Sequence, residues 1–155
     1  MRGKRAKKRI IPPDPLYKSE VLQRFINKVV SRGKKSIAEH IVYGAFEIIK
    51  KKMGEDPYKV FMKALNNAKP VLEVKSRRVG GSTYQVPVEV KPDKQESIAM
   101  QWIISYARAR KGMPFSQKLA LELMDAYANT GSTIKKKEDT HKMAEANRAY
   151  AHYRW

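Results

Sequence analysis

Cysteine is absent from this 155-residue chain, which excludes disulfides and thiolate metal sites alike. Acids are scarce: 15 Asp and Glu stand against 33 Lys and Arg, and the carboxylates mostly sit beside lysines. No apolar run reaches the ~18 residues of a membrane span, and no secretory signal is read, because the basic N-terminus lacks a following apolar stretch. The three histidines, His40, His141 and His152, lie far apart with no metal-ligand spacing. A Walker loop is missing too. Arg32-Gly33-Lys34-Lys35-Ser36 needs a glycine where Lys28 stands. Gly80-Gly81 lacks the strand-to-helix setting of a dinucleotide site. Nothing groups a nucleophile with a base, so no enzyme and no cofactor are expected.

What remains is positive charge on a chain long enough for one domain. The formal charge is +18 and the pI near 10.1, which points to polyanionic partners, nucleic acid before anionic membrane. Residues 1–11 carry Arg2, Lys4, Arg5, Lys7, Lys8 and Arg9 and no acid. Two-thirds of the surplus lies outside that segment, so the body is expected to bind the polyanion as well. Pro12, Pro13 and Pro15 close residues 1–15 as an extended arm.

The periodicity predicts a mainly α, single-domain bundle of about six helices over residues 16–155. Ser19 caps the first, with Val21, Leu22, Phe25, Ile26, Val29 and Val30 inward and Gly33 as its stop. Ser36 and Glu39 form the capping box of a second, striped by Ile37, Ile41, Ala45, Ile48 and Ile49 and closed by Gly54. Asp56-Pro57 opens a third, with Val60, Phe61, Ala64, Leu65 and Ala68 inward. After Pro92, a box over Asp93–Glu96 opens a fourth, faced by Ile98, Ala99, Trp102, Ile103 and Tyr106. The fifth carries Leu119, Leu123, Ala126 and Tyr127 and ends near Gly131. Glu20, Glu47 and Glu122 read as helix-surface residues. The sixth, about Thr133–Arg148, is the most polar, with a buried edge at Met143, Ala144 and Tyr150.

Between the third and fourth helices, residues 71–92 alternate as a strand pair with a turn at Gly80-Gly81. Leu72 and Val74 share a face on the first strand, and Tyr84, Val86, Val88 and Val90 share one on the second. Ser76, Arg77 and Arg78 make the tip solvated and basic. A protruding basic ribbon suits a nucleic-acid groove; an ordinary surface hairpin is the bland alternative. The tail, residues 149–155, follows Arg148 and interleaves Tyr150, His152, Tyr153, Arg154 and Trp155. Its rings either stack on bases or fold back on the core.

Phosphate contacts are expected from the arm and from Lys28, Arg32, Lys34, Lys35, Lys75, Arg77, Arg78, Arg108, Arg110, Lys111, Lys135, Lys136, Lys137, Arg148 and Arg154. The rivals are a DNA-bending architectural protein, an RNA-modifying or RNA-cleaving enzyme, and a basic membrane binder.

Four blocks carry a family resemblance. They are Phe25-Ile26-Asn27-Lys28 with Gly33-Lys34-Lys35; Asn66–Pro70 running into Val74–Gly81; Tyr84-Gln85-Val86-Pro87; and Lys136–Asp139 through Met143–His152. In these the sequence resembles the universal small-subunit ribosomal protein seven family, in its bacterial or organellar form. The resemblance implies a helical domain with a β-ribbon between its third and fourth helices. It implies binding to the 3′ major domain of 16S rRNA, where the family initiates assembly of the subunit head. It sets the hairpin segment Arg77, Arg78, Val79, Gly80, Gly81, Ser82 and Tyr84 near the exit-site tRNA and the mRNA path. It also implies ribosomal proteins S-nine and S-eleven as neighbours, a monomer when free, and a cytoplasmic location in the small subunit. The stretch from Arg108 to Gly131 carries least of the likeness.

Overall fold

The computed structural model describes residues 3–154. Its elements run α1 (Glu20–Val29), α2 (Lys35–Met53), α3 (Pro57–Ala68), β1 (Leu72–Val79), β2 (Ser82–Glu89), α4 (Pro92–Ala109), α5 (Phe115–Tyr127) and α6 (Gly131–Ala146), then a 3₁₀ helix, Arg148–Tyr153. This is the expected helical body with one antiparallel ribbon between α3 and α4.

The helices form where apolar residues fall at 3.6-residue spacing and a local device satisfies the helix end. Ser19 Oγ accepts from the Leu22 amide at 3.2 Å. Asp56 accepts from the Tyr58 amide at 3.1 Å, with Pro57 at the first helical position. Phe25, Phe46, Phe61, Ile49, Leu65, Ile103, Leu119 and Leu123, all at most 1% exposed, fill the centre between α1 and α5. Every inward residue expected of α3 is buried.

Several local expectations are corrected. The first helix stops at Val29, not at Gly33; Gly33 sits in a turn closed by the Lys34 amide on the Ser31 carbonyl at 3.1 Å. Neither capping box forms. Ser36 lies inside α2 behind the Lys34 cap, and Asp93 lies inside α4 behind Lys91, with Pro92 opening the helix. In α2 Ala45 and Ile49 are buried as expected, but Ala38, Val42 and Phe46 are the other inward residues; Ile41 and Ile48 are only half-buried and Ile37 is half exposed. In α4 Met100, Ile104 and Ala107 are buried, while Ile98, Trp102 and Tyr106 are only half-buried. In α6 Thr133, Ile134, Thr140 and Ala144 are buried, and Met143 is exposed.

Glu122 departs most from expectation: it is 1% exposed, not a surface residue. Its carboxylate accepts from Thr133 Oγ1 at 2.6 Å and the Thr133 amide at 3.3 Å, and from Arg110 Nε at 3.0 Å. One carboxylate therefore joins the end of α4, the middle of α5 and the start of α6. The turn between α5 and α6 needs glycine at 131. Its φ is +89°, and an added Cβ would come within 2.9 Å of Asp125 Cβ.

In the ribbon, Val79 pairs with Ser82 around Gly80 and Gly81, both at positive φ as a two-residue hairpin turn demands. The register places Lys75 opposite Val86, Glu73 opposite Val88 and Arg77 opposite Tyr84. Directly opposed residues share a face, so the buried valines of β2 lie beside charged residues of β1. Leu72 and Val74 occupy the other face and are half-buried. Cover comes from later in the chain: α6 packs against β1, and the 3₁₀ helix packs against β2. The tail thus folds onto the ribbon through Tyr150 and Tyr153, whose ring centroids lie 5.1 and 5.2 Å from that of Tyr84. Trp155 lies outside the described residues.

Candidate nucleic-acid interface

The candidate phosphate-binding cations lie in three places, apart from the exposed Lys50, Lys51 and Lys52 in the last turn of α2. At one edge, Lys28 in the last turn of α1 is followed by exposed Arg32, Lys34 and Lys35 in the turn to α2. Arg108 donates to the Val29 carbonyl at 3.3 Å, which brings the end of α4, with exposed Lys111, to the end of α1. Cations at two helix C-termini are favoured by the helix dipoles. Exposed side chains there remain available to an external anion.

The second place is the arm. Residues 3–13 carry no regular structure and expose Lys4, Arg5, Lys7, Lys8 and Arg9. Arg2 lies outside the described residues. Between arm, ribbon base and α4 opens a groove of about 780 Å³ lined by Arg5, Lys8, Lys75, Lys91 and Lys94, with Glu73, Glu89 and Asp93. Lys8 meets Asp93 at 2.6 Å, Lys94 meets Glu73 at 2.5 Å, and Lys75 meets Glu73 at 3.5 Å. The Lys8 hydrogen bond and charge hold the Asp93 carboxyl below its ordinary range. Water screens the lysine end of each pair, and both ends of Lys8–Asp93, so a polyanion can displace them. Further along, Ile11 lies in a smaller hollow with Arg24, Asn27, Lys28 and Glu96. The arm groove therefore leads through a furrow between α1 and α4 to the cationic edge.

The third place is the ribbon tip and tail. Arg78 is exposed and Arg77 half-buried on β1; Arg148 and Arg154 are exposed on the tail. Tyr150 and Tyr153 stack at 6.1 Å with 13° between planes, clasping Tyr84. On α6, Lys135 is exposed and Lys136 half-buried, while Lys137 donates to the Asn67 carbonyl at 2.7 Å and so ties α6 to the end of α3.

Arg110 stands apart from the other candidates. Its guanidinium bonds Glu122 and Asp125. Burial pushes its pKa down, but the hydrogen bonds to Asp125 and Glu122 outweigh this and hold it above its ordinary value. It serves the α4–α5 joint. Lys91 and Lys94 were missed by sequence reasoning, although the register of the ribbon with the following helix is the signal that could have found them. His141 is structural: its Nε2 accepts from the Val71 amide at 3.0 Å. Among the described residues there is no cluster of three or more potential metal ligands, and no helix is long and apolar enough to cross a membrane.

Together the body, arm and ribbon define a basic helical protein shaped to hold a large polyanion. A family model described as ribosomal protein S7p/S5e matches residues 1–148, and the chain belongs to that family. It is 61% identical over 155 residues, the whole of both chains, to the small ribosomal subunit protein uS7 of Thermotoga neapolitana. It is 62% identical over 148 residues, 96% of this chain and 95% of the other, to that of Thermomicrobium roseum. With that of Caldicellulosiruptor bescii the identity is 61% over 150 residues, 96% of each.

Proposed function

We propose that this chain binds the 3′ major domain of 16S rRNA and initiates assembly of the subunit head around it. Membership of the family makes it a structural constituent of the small ribosomal subunit, not an enzyme. The observation that carries the finer reading is the run of cations from the arm groove (Arg5, Lys8, Lys75, Lys91 and Lys94), past the α1–α4 furrow where Arg24 pairs with Glu96 at 3.0 Å, to Arg32, Lys34, Lys35, Arg108 and Lys111. Such a course suits a folded RNA read by shape and phosphate position. Residues 1–15 act as the arm and residues 16–155 as one RNA-binding domain. Arg77, Arg78, Val79, Gly80, Gly81, Ser82 and Tyr84 present the ribbon tip to the exit-site tRNA and the mRNA path, with Lys75, Lys135, Lys136, Arg148 and Arg154 behind it. The protein is a monomer when free, and S-nine and S-eleven are its protein neighbours in the subunit. Arg110 is assigned no phosphate, since Glu122 and Asp125 hold its guanidinium; Lys137 gives one of its three donors to the Asn67 carbonyl and stays among the proposed phosphate contacts.

The test is competition at matched salt between a transcript of the 3′ major domain and duplex DNA of equal length. Preference for the transcript is expected. Equal or stronger binding to the duplex would return the architectural-protein reading.

A further inference from the structure

We infer that Asp14 is the positioning residue of the arm: it clamps the arm's root to the bundle and sets the course on which the arm's cations meet RNA. This rests on the arm being a phosphate contact, as proposed above.

Asp14 is 1% exposed, and it makes no ion pair among the described residues. The other buried carboxylate, Glu122, has a guanidinium partner. A buried charge without a counter-charge is expensive unless hydrogen-bond donors surround it. Here the donors are neutral. Oδ1 accepts from the Ser19 amide at 2.8 Å; Oδ2 accepts from the Tyr17 amide at 2.9 Å and the Tyr43 hydroxyl at 3.3 Å. Its backbone joins in, with the Lys18 amide on the Asp14 carbonyl at 2.9 Å. Burial first, and then the neighbouring Asp14 charge, pushes the Tyr43 phenol up to about 12, so the hydroxyl stays a donor.

Each partner belongs to a different part of the bundle. Ser19 caps α1 and accepts from the Tyr58 hydroxyl of α3 at 3.0 Å. Tyr43 lies on α2. Tyr17 stacks on Tyr58 at 5.7 Å and meets Phe46 edge-on at 5.4 Å. The chain passes from exposed arm to fixed root within one residue of Pro13 and Pro15, which stiffen both sides. A hydrophobic side chain could fill the same hollow without placing a charge there. The carboxylate adds direction, because only an acceptor can hold three donors from two elements and the intervening turn. Fixing that direction lowers the ordering cost of docking the arm.

The discriminating experiment is a cycle on the full-length protein with a transcript of the 3′ major domain, using Asp14→Asn, deletion of residues 1–11, and both together. Asp14→Asn raises the net charge by one from +18. Charge alone would therefore tighten binding. The clamp predicts the opposite: about threefold to tenfold weaker binding with a shallower salt dependence, and a change below about 1.5-fold once the arm is deleted. Equal losses in both backgrounds, or tighter binding in the full chain, would overturn the clamp. If deleting the arm alone changes nothing, the arm reading itself fails and the clamp with it. If the arm matters and Asp14→Asn does not, only the clamp fails. Should Asp14→Asn lose the native circular dichroism spectrum, Tyr43→Phe removes one donor and keeps the fold; it is expected to weaken binding in the same direction only while the arm is present. An unchanged affinity for Tyr43→Phe would then count against the clamp.

Discussion

Replacing Glu122 with alanine should unlock the joint between α4, α5 and α6. The side chain is 1% exposed and accepts from Thr133 twice and from Arg110. Breaking a buried ion pair by removing one partner costs about 3–5 kcal/mol. Arg110 keeps Asp125 and is itself 29% exposed, which draws the cost toward the lower end. The two orphaned Thr133 donors draw it back, since an unsatisfied buried donor costs about 1–3 kcal/mol. The net expectation is about 3–4 kcal/mol, against a total of about 5–15 kcal/mol for a domain of this kind. Glu122→Gln keeps an acceptor for Thr133 but sets an amide NH2 against Arg110 in place of the second oxygen, so about half the effect should remain. Urea unfolding followed by circular dichroism reads both. With a slope of about 1–3 kcal/mol per molar, the alanine variant's midpoint should fall by roughly 1–4 M at nearly constant slope. A loss below about 0.5 kcal/mol in both variants, the level of an ordinary surface substitution, would refute the joint.

Gly131→Ala should cost about 1–3 kcal/mol, because φ is +89° and Asp125 Cβ stands 2.9 Å from the added carbon; an unchanged melting temperature would contradict that geometry. His141 gives a pH dependence. Its pKa is lowered by burial first and by Lys137 second, so the unfolded chain takes the proton first. The contribution is present above the ordinary value near 6.5 and is lost as pH falls through it toward the folded value. His141→Gln should flatten the decline in stability between pH 7.5 and 5; superimposable profiles would remove His141 from the ribbon root. If about eight phosphates are contacted, log affinity against log salt should have a slope near −7, and deletion of residues 1–11 should flatten it without changing the melting curve. A slope that stays the same would take the arm out of the interface.

Much of the fold is legible because its signals are local. Asp56-Pro57 and the α3 stripe, the Gly54 stop, and the Gly80-Gly81 turn each depend on a few neighbouring residues. The failures depend on distant ones. Ser36 and Glu39 have the spacing of a capping box, but after the turn at Arg32 and Gly33, both at positive φ, α2 is capped at Lys34, two residues earlier. Glu122 looks like a surface acid until Arg110 and Thr133, twelve and eleven residues on either side, close over it. The valines of β2 announce a buried face, yet only the register reveals that charged Glu73 and Lys75 share it. Among the proposed contacts, residue type alone does not reveal that Arg110 is held by Glu122 and Asp125, or that Lys91 and Lys94 line the groove beside the arm.

The roofing of the ribbon by the chain's last segments has a consequence for biosynthesis. The strands leave the synthesising machinery midway, yet the tyrosines that clasp them, Tyr150 and Tyr153, emerge more than sixty residues after Glu89. At roughly 5–20 residues per second that is a delay of several seconds. Throughout it, two newly made strands with apolar valines have no lid, and nascent-chain helpers have their opening.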